Sequence, residues 1–362
     1  MKQEQAILMI NAKEHRIANN FDIIRILFAW FVILSHSYVL NGNGPTDPLA
    51  NLTNGYMIFS FIGVKGFFII SGYLIFQSLE RSKSIIDYLT KRVLRIFPAL
   101  IVVLLITIIA VYFIYPSQEI FYLLDPEIYK YFIGNSVLFM PHFFIKGVFE
   151  NQPNHAINGS LWTIEFEFFF YILLLLFFPI RKKKNTLKLL LGIILVGLFA
   201  GNLFYINELK KITTPINIEL AFDLGTYFLM GSFIACFNWE QIPNKLWIAI
   251  VSSLILVMAT CLKLNYCYVQ ISLPFIIIYL GKKSSSLASL SHRVLGDPSY
   301  GIYLYGFPVQ QFIIYFFKPN TFTLLISSTL VSFVIGYLSW TFIEKKALVY
   351  KNIFAPKASN AA

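Results

Sequence analysis

Ten long apolar stretches divide this chain, at roughly 21–40, 56–79, 96–115, 161–180, 186–206, 218–237, 246–263, 266–281, 297–317 and 321–343. A helix covers the hydrocarbon core of a bilayer in about 20 residues. Only structures that satisfy their own backbone hydrogen bonds survive there, so consecutive apolar stretches of this length fold as packed helices. Hydrophobic residues make up 57% of the chain and charged residues 13%, with a mean hydropathy of +0.68, which excludes a soluble protein with a large core. The eighth stretch is short and carries Pro274. The first is too long for a cleaved signal peptide and lacks a small-residue cleavage site. The expected fold is all-α: a polytopic bundle of about ten transmembrane helices. A single domain over 21–347 is flanked by an N-terminal segment, 1–20, and a tail, 348–362.

Basic residues set the orientation. With the N-terminus in the cytoplasm, 21 of the 29 Lys and Arg residues fall on the cytoplasmic side and six outside. That asymmetry matches the positive-inside rule and predicts an even number of spans with both termini cytoplasmic. The net charge of +11 is then accounted for by anionic lipid headgroups, with no reason to invoke nucleic acid. The longest predicted outer loop, 116–160, is rich in aromatic and polar residues and is a candidate to line an acceptor site. The cysteines Cys236, Cys261 and Cys267 form no metal-ligand pattern, although Cys261 and Cys267 flank a predicted outer loop.

Ionisable residues at membrane depth are costly and point to function. Arg25 and His36 lie in the first stretch, eleven residues apart, so they share a helix face about 16 Å apart along the axis. Arg25 either pairs with nearby Asp22 or meets a ligand. Lys65 lies in the second stretch, too deep for easy snorkelling, and Arg92 and Arg95, three apart, share a face at the start of the third. On residue type alone, the arginine pair reads first as a generic positive-inside cluster. Gly63, Gly66 and Gly72, with Ser71, allow close helix approach and leave room for a thin tunnel.

Five segments in order carry a resemblance: FDIIRILFAWFVILSH, GVKGFFIISGYLI, YLTKRVLRIFPA, NGSLWTIEFEFFFY and GDPSYGIYLYGFPVQQ, followed by a closing TFIEKKA. Together they resemble the acyltransferase-3 family of bacterial integral-membrane O-acyltransferases, over about residues 20–347. The resemblance implies transfer of an acyl group, often acetyl, from cytoplasmic acyl-CoA to a hydroxyl of a surface carbohydrate. It implies no tightly bound cofactor; acyl-CoA is a donor substrate, and the site is the bacterial inner membrane. Some members carry an extra extracytoplasmic hydrolase-like domain, which this chain is expected to lack.

Chemistry and resemblance together assign roles. An alcohol is a poor nucleophile until deprotonated, and a histidine titrates near working pH, so His36 is the expected general base, with a transient acyl-histidine as the other option. Glu167 matches the LWT-x-x-x-E pattern counted from Trp162 and is expected to orient His36, while Glu165 points to another face. The resemblance implies donor recognition at Arg92 and Arg95, whose guanidinium forks suit the phosphates of CoA, with Arg25 and Lys65 beside the donor channel. Asp22, Ser71, Trp162, Tyr171 and Tyr300 are expected to support the site, with Ser299 and Tyr303 packing in the bundle. Gly306 stands where many members of the family it resembles carry a histidine, a departure that speaks against a second catalytic histidine in the ninth stretch. The competing expectation is a transporter or flippase for a glycan or small organic acid, working without acyl-transfer chemistry; the absence of an internal repeat weighs against it.

Overall fold

The computed structural model describes residues 19–353 apart from 116–124, 139–140, 206–207, 209–213 and 215. Nearly all of the N-terminal segment, the end of the tail and part of the long loop lie outside these residues. Among the described residues there is no strand, only one isolated bridge between Asn19 and Ser284.

A helix answers each of the ten apolar stretches: α1 Phe21–Leu40, α2 Phe59–Arg81, α3 Ile85–Tyr112, α4 Trp162–Leu174, α5 Lys184–Phe204, α6 Ile218–Ala235, α7 Lys245–Cys261, α8 Cys267–Lys282, α9 Ser299–Phe317 and α10 Thr321–Ser339. Short 3₁₀ turns extend α4 at both ends, over Gly159–Leu161 and Leu175–Ile180, and a π-helical turn, Trp340–Glu344, carries α10 into Lys345–Val349. Seven of these units are long and apolar enough to cross a membrane: α1, α2, α3, extended α4, α5, α6 and extended α10. The helices α7 and α8 are apolar but shorter. The remaining one, α9, holds Ser299, four tyrosines, Gln310 and Gln311, and most of its residues are buried. Protein surrounds it, as expected for Ser299 and Tyr303, which is why it tolerates so many polar groups.

Helix α2 is the hub, packed between α1 and α6, with α9 against α1 and α10 beyond it. Glycine makes the central contacts close enough for backbones to meet. A Cβ at Gly72 would lie 1.8 Å from the Phe228 carbonyl oxygen, and one at Gly231 would lie 2.1 Å from that of Ile69. Close packing is thus what Gly63 and Gly66 do as well: both press on Phe28 of α1. Large apolar side chains such as Leu189, Leu254, Phe317 and Leu330 remain exposed around the perimeter, where a bilayer would cover them. Cys236, Cys261 and Cys267 are free thiols.

The helix α3 begins at Ile85, ahead of the third apolar stretch, and so carries Arg92 and Arg95 on its own continuous backbone. Ser84 starts it by accepting a hydrogen bond from the Asp87 amide at 3.0 Å. At the other end of the bundle, Pro308 lacks an amide hydrogen and so leaves the Leu304 carbonyl without its helical donor. The buried Asn158 supplies the missing bond, donating from Nδ2 at 2.9 Å. That bond ties the entry of α4 to the middle of α9 and fixes the depth of everything that follows in α4.

Candidate active site

One face of α2 builds a cavity. Val64, Phe67, Phe68, Ser71, Leu74, Ile75, Ser78 and Arg81 recur at spacings of three and four, so they form a single stripe. The stripe runs about 25 Å along the helix axis. Opposite it, α4 contributes Thr163, Glu167 and Tyr171, each one turn from the next, and α3 contributes Lys91, Arg92 and Arg95. Arg25, Ser299, Tyr300 and Tyr303 complete the wall of a cavity of about 410 Å³. Leu348 and Lys351, from the segment expected to be a tail, line its mouth beside Arg81. The mouth is therefore basic, and the interior is lined by aliphatic and aromatic side chains with a few hydroxyls and one carboxylate.

The arginines divide into two kinds. Arg95 donates to Asp297 Oδ2 at 2.6 Å and to Glu344 Oε2 at 3.2 Å, and Arg25 meets Asp22 Oδ1 at 2.5 Å and Asp297 Oδ2 at 3.2 Å. Their charge is already balanced by protein carboxylates. Arg92, one turn before Arg95, has no carboxylate partner among the described residues. It donates to Ser78 Oγ at 3.3 Å and lies over the rings of Tyr88 and Tyr171, 5.8 and 5.7 Å from their centroids. Arg81 and Lys351 at the mouth also lack a carboxylate partner among the described residues. Three cations are thus free to meet an anion in or at the mouth of the cavity.

Glu167 lies deeper. Its Oε1 accepts from Ser71 Oγ at 2.8 Å and from the Tyr171 hydroxyl, which itself lies 3.2 Å from Ser71 Oγ. Tyr300 donates to the Ile96 carbonyl at 3.1 Å and carries the Arg95 guanidinium over its ring at 5.6 Å. Trp162 sits outside this group, edge-on to Phe166 at 6.0 Å. Glu165 is buried on a different face of α4, as its spacing from Glu167 requires, and its Oε1 meets no hydrogen-bond partner among the described residues.

Two expectations need correction. Lys65 does not reach the cavity: its ammonium pairs with Asp223 of α6 and lies 5.3 and 5.4 Å from the ring centroids of Phe61 and Tyr227. Six residues separate Lys65 from Ser71, which sets them about 120° apart around α2 and on different sides of it. Nor does Glu167 orient His36. His36 hydrogen-bonds to no described residue and rests edge-on against Phe307, with ring centroids 5.2 Å apart. The Asn158 anchor explains the gap. It sets Gly159 against the Phe307 ring, so the level of His36 is the level of Gly159, and Glu167 lies eight residues on, about 12 Å further along.

Residues 19–341 match the family model described as an acyltransferase domain, the acyltransferase-3 model. The chain belongs to the acyltransferase-3 family. This acyltransferase is 30% identical over 342 residues to an O-acetyl transferase of Shigella phage Sf6, covering 91% of this chain and 96% of that one. It is 27% identical to Nodulation protein 10 of Rhizobium leguminosarum bv. viciae, over 91% and 93% of the two chains. It is 24% identical to the peptidoglycan O-acetyltransferase OatA of Listeria monocytogenes, over 78% of this chain and 50% of that protein. No solved structure matches it.

Within the acyltransferase, Asp297 and Glu344, which organise the cavity wall, and Asp223, which holds Lys65 away from it, are acidic residues that the sequence alone did not single out for these roles. Each is an acidic residue in or beside an apolar stretch, the same signal that drew attention to Arg25. Asp47 is a fourth: buried, it accepts from Ser35 Oγ at 2.5 Å and from the amides of Ala50 and Phe59 at 2.9 Å. It locks the loop after α1 beside the His36 end of that helix.

Proposed function

We propose that this protein is an acyl-CoA-dependent O-acyltransferase of the bacterial inner membrane. It moves an acetyl group from cytoplasmic acetyl-CoA to a hydroxyl of a surface carbohydrate, such as a lipopolysaccharide O-antigen, a capsule or another exopolysaccharide. The observation that carries this reading is the cavity, with free cations at and near its mouth and a mostly apolar interior that carries a few hydroxyls and one carboxylate. That profile suits a donor with a phosphate-bearing head and a thin thioester arm. The names of two relatives, an O-acetyl transferase and a peptidoglycan O-acetyltransferase, favour acetyl and a glycan.

In this reading ten helices cross the membrane with both termini in the cytoplasm, and the basic mouth faces the donor. Arg92, Arg81 and Lys351 take the phosphates, and the arm runs along the α2 stripe past Ser71, Glu167 and Tyr171. The acceptor arrives from the outer side. His36 takes the proton of its hydroxyl, and the oxygen forms a C–O bond to the thioester carbonyl carbon. The C–S bond breaks, CoA leaves as a thiolate, and it recovers the proton from the imidazolium. No tightly bound cofactor is needed.

The test is to incubate radiolabelled acetyl-CoA with the protein in lipid and a crude extract of surface glycans. Label is expected in an alkali-labile ester on the glycan, with one free CoA per acetyl group. A transporter would neither bind acyl-CoA nor release CoA, and that result would overturn the reading.

A further inference from the structure

Along α9, the lining of the cavity ends one helical turn short of Phe307. Phe67, Thr163 and Tyr303 line it, but Phe307, four residues beyond Tyr303 and about 6 Å further along α9, does not. Phe307 is the ring against which His36 packs.

The rings between cavity and histidine are held in place. The Tyr303 hydroxyl lies 2.6 Å from Thr163 Oγ1 and donates to the Ser160 carbonyl at 3.1 Å. Its ring meets that of Phe67 edge-on, with centroids 5.6 Å apart. Phe67 in turn meets Phe28 edge-on at 5.9 Å. On the far side, Phe307 is seated on Gly159, where a Cβ would come within 2.6 Å of the ring. Tyr303 and Phe307 are both buried, so neither ring has room to swing aside without displacing α1 or the start of α4.

We infer that Phe67, Tyr303 and Phe307 form an aromatic constriction between the donor cavity and His36, and that it selects short acyl groups by size. The inference rests on the donor reading above. A thioester reaching His36 passes these rings acyl end first, so each added methylene must fit among side chains fixed on several sides. A single methylene is discriminated about 10–200-fold by a fitted apolar site. The three rings would thus act as specificity determinants for the acyl group, while the phosphate-facing cations act equally on every acyl-CoA.

The test compares acetyl-, propionyl- and butyryl-CoA with the protein in lipid and a fixed glycan acceptor, reading kcat/KM from CoA release. Wild type is expected to lose at least about tenfold with each added methylene. Phe67→Ala is expected to raise the butyryl-to-acetyl ratio at least about tenfold, and Phe307→Leu to move it in the same direction. Arg92→Ala is expected to lower all three donors by one common factor. Should Phe67→Ala fail to fold, Phe67→Leu and Thr163→Val, which thin the ring and free Tyr303, carry the same comparison. Equal use of the three donors by wild type, or an unchanged ratio in folded variants, would overturn the constriction while leaving the acyltransferase reading intact. No turnover of any donor by wild type would instead overturn the functional reading on which it stands.

Discussion

Asp297 Oδ2 joins Arg95 at 2.6 Å and Arg25 at 3.2 Å, one carboxylate oxygen holding arginines from two helices at the cavity wall. Asp297 also accepts from Ser299 Oγ at 2.6 Å, so the start of α9 is part of the same cluster. A buried charge left without its partner is far more costly than the pair is favourable. Asp297→Ala leaves Arg25 with Asp22 alone and Arg95 with Glu344 alone, and is expected to destabilise the folded protein by up to about 3 kcal/mol. Thermal unfolding in detergent or lipid measures this; a loss near zero would mean that Asp22 and Glu344 alone suffice.

Arg92 should behave in the opposite way. With no carboxylate to abandon, its removal costs little fold stability but takes away a cation available to donor phosphate. A hydrogen bond to a charged group contributes about 1.5–3 kcal/mol, so Arg92→Ala is expected to weaken acetyl-CoA binding by roughly 10–150-fold. Arg92→Lys should recover only part of that, because an ammonium cannot offer the paired donors of a guanidinium. Calorimetric titration of the folded variants decides it, and unchanged affinity in Arg92→Ala would remove this residue from the donor site.

Lys65 and Asp223 serve the bundle, so their variants should report on folding alone. Lys65→Met is expected to destabilise by about 3–5 kcal/mol, because Asp223 and its Gln270 partner remain behind, whereas Lys65→Met with Asp223→Leu should recover most of the loss. Acetyl-CoA affinity of the double variant should equal that of wild type. A selective loss of affinity would restore Lys65 to the donor channel.

The ten helices were legible because apolar run length is a local property that the bilayer reads directly. The packing of Ser299, Tyr300 and Tyr303 inside the bundle was legible as well, but the partners of Gln310 and Gln311 were not: Gln310 donates to the Ile33 carbonyl and Gln311 to that of Ala156, far away in the chain. Arg25, Arg92, Arg95, Ser71, Glu167, Tyr171 and Tyr300 do converge on one cavity, and their helical spacing alone accounts for the faces they share. Spacing cannot give the depth at which one helix enters beside another. That depth depends on a bond between Asn158 and a carbonyl exposed by Pro308, 146 residues apart from donor to acceptor, and it separates Glu167 from His36. The partner of Lys65 was hidden for the same reason, since Asp223 lies 158 residues away.

The most direct measurement is CoA release from acetyl-CoA by the protein in lipid, with surface glycan as acceptor, wild type beside His36→Ala. The account predicts glycan-dependent release by wild type and a fall on the order of 100-fold or more in the variant, as loss of a general base entails, with acetyl-CoA affinity retained. Undiminished acetyl transfer by folded His36→Ala would contradict it.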